Sequence, residues 1–358
     1  MTSDTRLPEP TAPTRILVIK LRHHGDMLLT TPLILTLRQR FPAAQIDVLL
    51  YEETREMLSA NPDIHRIYGI DRKWKKQGVL HQLKMEAGLL CTLRKQKYDL
   101  VLNLADQWRS AICTRLTGAR KRIGFAFPKR RHPFWAFCHT DLVSTQEHNT
   151  QHTVEQNLSI LSAIGEAVHD VPAKMSYTAQ DWQACRSLLP PDFQESYVVI
   201  QPTSRWFYKC WHEGNISAVM NALSAAGHKI VLTSGPDAKE KKMVETIIAG
   251  CPDAQFHPLA GQLTLRQLAA LIDHARLFIG VDSVPMHMAA ALGTPLVALF
   301  GPSKLVFWRP WQAKGEVIWA GDYGPLPDPD DVDTHTDERY LDAIPVDAVI
   351  TAAKRLLA

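Results

Sequence analysis

No apolar run in this 358-residue chain approaches the roughly 18–20 residues of a membrane-spanning helix, which excludes that class. Met1–Thr14 holds three prolines and two acids and lacks an apolar stretch. It is expected to be a flexible N-terminus and not a secretory signal. The six cysteines are dispersed with no CxxC pair. That excludes a disulfide framework or a zinc site and fits reduced, buried thiols in a cytoplasmic protein. GxGxxG and GxxxxGK[ST] are both missing, so neither the dinucleotide fingerprint nor a P-loop is present. No repeat of fixed period occurs, which removes solenoids. The DxD triplet Asp328-Pro329-Asp330 stands in an acidic, turn-rich stretch where a metal-diphosphate site is not expected.

What is there is a globular composition, with 46% apolar residues and enough length for two domains. The net charge of +3 conceals an asymmetry. Residues 1–165 hold 24 Lys and Arg against 15 Asp and Glu, and residues 166–358 hold 16 against 22. A +9 half joined to a −6 half predicts that the first half meets an anionic partner.

Short β-branched runs alternate with helical patterns. In the first half, strands are predicted at 15–21, 45–51, 65–70 and 98–104. Helices are predicted at 27–40, 80–97, 107–117 and 152–164. Residues 120–140, basic and aromatic with two prolines, read as a long exposed loop. Residues 166–178 read as a linker. In the second half, strands are predicted at 197–202, 229–235, 254–259, 276–282 and 295–301, with helices between them. An acidic loop at 321–340 and a last helix at 345–358 follow. Strands that are apolar throughout indicate parallel sheets covered on both faces. The organisation expected is an α/β protein of two Rossmann-like domains, 15–165 and 179–344, facing across a cleft.

Ligands in such folds bind beyond the C-terminal ends of the strands, and three segments stand there. In the first, His23-His24-Gly25-Asp26, Gly25 allows a tight turn. Asp26 reads either as the cap of the next helix or as a general base. In the second, 201–211, Thr203, Ser204 and Lys209 can donate to phosphate oxygens. In the third, Asp282-Ser283 opens a helix with Pro285 in its first turn and His287 close by. Its amides can face an anion while Asp282 accepts from sugar hydroxyls. Arg120-Lys121-Arg122 and Lys129-Arg130-Arg131, among aromatics, suit an anionic membrane surface or nucleic acid, or are a solvated loop. Arg72, Lys73, Lys75 and Lys76 around Trp74 read the same way.

ILVIK at 16–20, HHGDMLLTTPLILTLRQRFP at 23–42 and VDSVPMHMAAALGTPLVALFGPS at 281–303 together resemble the bacterial lipopolysaccharide heptosyltransferases, glycosyltransferase family 9. The resemblance runs from about residue 15 to near the C-terminus. The segment around Gly25-Asp26 looks most like the type III enzymes, which add a side-branch heptose to the inner core.

The resemblance implies a GT-B fold and inverting transfer. The donor would be ADP-L-glycero-D-manno-heptose and the acceptor the second heptose of the lipid A–inner core. No metal, no other cofactor and no nucleic acid are expected. It implies Asp26 as the base and Thr203, Ser204, Lys209, Glu240, Asp282, Ser283 and His287 as donor-binding residues. Asp237 competes with Glu240 for the ribose. His23, His24, Gly25, Arg120, Arg122, Lys129 and Arg130 are the acceptor-side candidates. The enzyme is expected in the cytoplasm, peripheral on the anionic inner membrane. The sequence departs from the family pattern at Val284 and at Thr203-Ser204-Arg205-Trp206, where smaller residues are usual. Other subtypes, a non-catalytic nucleotide-sugar binder and a sugar-nucleotide epimerase are the competing readings.

Overall fold

A computed structural model describes residues 12–358. The expectation for residues 1–14 falls almost wholly outside them. Thr14, its last position, is tied by its amide and hydroxyl to the Asp99 carboxylate.

The first sheet holds β1 (Arg15–Ile19), β2 (Gln45–Tyr51), β3 (Arg66–Ile70), β4 (Leu100–Asn103), β5 (Lys121–Phe125) and β6 (Asp141–Val143), in the order β3-β2-β1-β4-β5-β6. The second holds β7 (Val198–Gln201), β8 (Ile230–Leu232), β9 (Phe256–Pro258), β10 (Leu277–Val281), β11 (Leu296–Phe300) and β12 (Gly315–Trp319), in the order β12-β11-β10-β7-β8-β9. Every pairing is parallel. The central strands are buried along their length, as strands covered on both faces must be. One apolar core runs from the first sheet through the 153–193 region into a face of the second. Residues 166–178 carry no helix or strand, yet Val171, Ala173 and Met175 are buried in that core. The last helix, Val346–Leu357, packs on the second sheet beside Glu213–Ala225.

Two expectations fail. The helix expected over 27–40 is two, His24–Leu28 and Thr31–Arg40. Pro32 has no N–H to give the Leu28 carbonyl, and the Thr31 hydroxyl serves that carbonyl instead. Residues 120–140 are not an exposed loop. They contain β5 and the helix Pro133–Cys138, whose Trp135 is 1% exposed and donates its indole N–H to the Phe125 carbonyl.

The halves also meet through His152. Its ring caps the helix Thr153–Leu158, contacts the Arg309 carbonyl at 2.9 Å and stacks on Trp311 at 4.7 Å. Burial pulls its pKa from 6.5 down to about 4. Between those values the unfolded chain binds a proton that the folded ring refuses. Stability is therefore full above about pH 6.5 and falls as pH drops toward 4, by up to about 3 kcal/mol from this residue. His152→Asn keeps a capping side chain. Urea unfolding midpoints of that variant should change less between pH 7 and pH 5 than those of the unaltered protein.

Candidate active site

The two sets of strand ends enclose a cleft of about 430 Å³. Its first-domain wall is His23-His24-Gly25-Asp26, carried by the short helix that follows β1. Asp26 is the third residue of that helix, and the cap position belongs to His23. The capping reading of Asp26 is thus incorrect. Its carbonyl accepts from Thr30, and among the described residues its carboxylate has no hydrogen-bond or ion-pair partner. Gly25 makes no turn; it sits inside the helix with its φ outside the left-handed region. A methyl group there would meet His287 Cδ2 across the cleft at 3.5 Å, an ordinary van der Waals contact, so the two walls come together at this residue. His24 is half-buried, and its Nε2 donates to the Glu53 carbonyl at 2.9 Å. Burial lowers its pKa, so it is neutral.

The opposite wall comes from the ends of β7, β10 and β11. Lys209 Nζ and Asp282 Oδ2 form an ion pair at 2.5 Å, with side chains 11% and 6% exposed. The Ser303 hydroxyl donates to the same oxygen at 2.7 Å. Trp206 and Tyr208 flank the ammonium at 5.1 and 5.9 Å from their ring centres. Ser283 is the cap position of the helix Val284–Leu292 but makes no capping bond. Its Oγ and the Nδ1 of His287 are buried and have no partner among the described residues. Burial holds His287 neutral against the pull of Asp282. Two unpartnered polar groups beside free amides at a helix start suit an anionic ligand with several oxygens.

The other expected residues are placed as follows. Ser204 lines the cleft. Thr203 is buried behind it, and its hydroxyl donates to Glu240 Oε2. That oxygen also takes the Gly235 amide. A second recess, of about 560 Å³, shares Arg205 with the cleft and is lined by Asp237, Lys239 and Glu240. Asp237 caps the Lys239 amide, so among the described residues each acid keeps one oxygen without a partner. Lys129 and Arg130 lie beyond β5, gathered on Asp106 at the end of β4. Lys129 pairs with the Asp106 carboxylate and Arg130 Nε donates to its carbonyl. Burial pushes the Asp106 carboxyl up, but the Lys129 hydrogen bond and the Arg22 charge outweigh it and hold it low.

Arg120 and Arg122 are not at the site, which corrects the expectation for both. They stand at the N-terminal end of β5, the edge of the sheet away from the cleft. Arg122 is spent on the Ala119 and Cys138 carbonyls, and Arg120 points to Asp99.

Several residues at the site escaped the sequence reading. Lys20, at the end of β1, is buried and bonded to Asn157 Oδ1 at 2.9 Å, while Asn157 holds the Leu29 carbonyl. Burial lowers its pKa, and Asp26 and Asp106 oppose that fall. Trp308 and Lys304 also line the cleft, and so does Asp330, from the acidic stretch expected to be an exposed loop. Lys304 and Asp330 form an ion pair at the cleft mouth. Among the described residues no three His, Cys, Asp or Glu side chains are grouped as a metal site requires.

Comparison with known proteins gives concordant matches. Residues 88–337 match the model of glycosyltransferase family 9 (heptosyltransferase). The chain is 45% identical to a lipopolysaccharide heptosyltransferase 3 of Escherichia coli, covering 94% of this chain and 97% of that protein. A family 9 glycosyl transferase from Veillonella parvula has the same fold, with a TM-score of 0.80 at 24% identity over 96% of this chain and 97% of that one. So does an E. coli heptosyltransferase solved with ADP, at a TM-score of 0.73 and 20% identity over 96% and 99%.

Proposed function

This chain belongs to glycosyltransferase family 9, the heptosyltransferases, and from that membership we propose that it moves L-glycero-D-manno-heptose from ADP-heptose to the second heptose of a lipopolysaccharide inner core. The observation that carries the reading is the open Asp26 carboxylate, facing an anion-receptive wall of Lys209, Ser283 and His287. Asp26 takes the proton of the acceptor hydroxyl as that oxygen attacks the anomeric carbon. The bond from that carbon to the diphosphate oxygen breaks, and ADP leaves with the electron pair. Attack from the Asp26 side with departure toward the Lys209 side inverts the anomeric centre. Lys209 and the amides at the start of the 284–292 helix meet the charge that develops on the leaving diphosphate. Asp282 accepts from sugar hydroxyls, and the recess at Asp237 and Glu240 takes the adenosine end. In this reading no metal or other cofactor takes part.

His23, His24 and the Arg22, Lys129 and Arg130 group around Asp106 receive the phosphorylated acceptor. The reaction takes place at the cytoplasmic face of an anionic membrane. No helix among the described residues is long and apolar enough to cross that membrane.

A transfer assay with ADP-heptose and a graded set of truncated core acceptors tests the assignment. Heptose should be incorporated only once the acceptor carries its second heptose. Incorporation onto an acceptor with no heptose would refute it.

A further inference from the structure

We propose that the start of the helix Val79–Lys95, with the basic turn Arg72–Gln77 before it, is the surface on which this protein docks to an anionic lipid bilayer. The inference rests on the reading that the acceptor is lipid-linked, and it names the surface that meets the lipid. Val79, Leu80 and Leu83 are 73%, 84% and 59% exposed. Positions three and four apart share a helix face, so these side chains form one apolar tip on the first turns. Such a contiguous exposed patch marks a contact site.

The preceding turn sets positive charge next to that tip. Arg72 is paired with Glu53, but among the described residues no carboxylate pairs with Lys73, Lys75 or Lys76. An apolar tip next to a run of lysines matches a bilayer surface, where acyl chains lie beneath anionic headgroups. Nucleic acid, which stacks its bases on aromatic faces, is a poorer fit to this aliphatic tip, because the one ring of the turn, Trp74, packs against the core.

Position agrees with composition. The helix begins where β3 ends, on the same edge of the sheet as Asp26. Right-handed crossovers put this helix and those that follow β4 and β5 on one face of the sheet. On those neighbours Trp108 and Phe134 are also exposed, with ring centres 6.0 Å apart and Arg130 over Trp108. Aromatic rings of this kind settle at the headgroup level. A bilayer against this rim would present a lipid-linked saccharide to the cleft mouth.

The test is sedimentation of the full chain with phosphatidylcholine vesicles, with and without about one-third phosphatidylglycerol. Two variants are compared, V79E/L80E/L83E and K73E/K75E/K76E, each first shown to keep its urea midpoint. Either variant should lose about tenfold or more of its binding to the anionic vesicles. Both should retain normal transfer to a deacylated, water-soluble acceptor and lose transfer to the same acceptor embedded in vesicles. Binding of the variants equal to that of the unaltered protein overturns the proposal. So does a dimer, seen in sedimentation velocity, that the apolar variant breaks while vesicle binding persists. Tighter capture of RNA than of anionic vesicles by this surface also overturns it. If the unaltered protein transfers to neither acceptor, the enzymatic reading fails, and vesicle binding still reports on the docking surface alone.

Discussion

Asp26→Asn lowers the rate of heptose transfer by about 10²–10⁴-fold while ADP still binds, because general-base catalysis contributes on that order. The change keeps the size of the side chain and removes its basicity. Among the described residues no hydrogen bond is lost at position 26, since the carboxylate holds no other group and the carbonyl bond to Thr30 is untouched; only the support its charge gives to buried Lys20 goes with it. Donor affinity should be nearly unchanged, because the donor wall lies across the cleft. Single-turnover rates with calorimetric ADP binding make the separation visible. Normal turnover of the Asn variant would remove Asp26 from the chemistry. A parallel loss of ADP affinity would move it to the donor side.

The second large effect is expected at Lys209, and it appears in stability as well as rate. Removing one partner of a buried ion pair leaves the other charge uncompensated, at a cost of about 3–5 kcal/mol. Lys209→Ala does this to Asp282, which among the described residues would keep only the Ser303 hydroxyl. Transfer should also fall by about 10²–10³-fold, the usual consequence of removing a donor aimed at developing charge. The double variant Lys209→Ala/Asp282→Ala should regain much of the stability, since no orphan charge remains, and none of the activity. Urea denaturation read alongside turnover separates the two effects. If Lys209→Ala left the midpoint and the rate both unchanged, the pair would be neither structural nor catalytic.

Both of these residues were legible in the sequence, and the reason is local. β1 and β7 are central strands, so their apolar runs are unbroken, and each is followed by a polar loop and a helix. That strand-to-helix junction is where a parallel sheet keeps its chemistry. The elements that escaped notice are weaker signals. β6 has three residues, β12 is a half-buried edge strand with Glu316 in it, and β5 opens with Lys121-Arg122. The charge of β5 sits at the end of the strand that reaches the sheet margin, so the segment resembled a basic loop. The arginines there are acceptor candidates by charge and resemblance, and direction along the strand decides against them.

Contacts between distant positions were beyond local reading altogether. Lys20 and Asn157 are 137 residues apart, and nothing near either one announces the other. Lys209 and Asp282, separated by 73 residues, were each recognised for a ligand and not for one another. Asp330 was set aside with an acidic surface stretch, although it returns to close the cleft against Lys304.

The twelve strands of the described residues, running in the same sense within their sheets, divide the molecule by more than geometry. The junctions where strands end line the cleft, and the turns by which helices run back into strands lie at the opposite ends of the strands. Gly118 and Gly227 lie in such turns, both in the left-handed conformation that lets a helix stop and the chain double back. Those turns are where the chain can be lengthened, tagged or given a spectroscopic probe without entering the cleft. A label beside Gly118 and another beside Gly227 would ride one on each domain and report the span between them as the enzyme turns over.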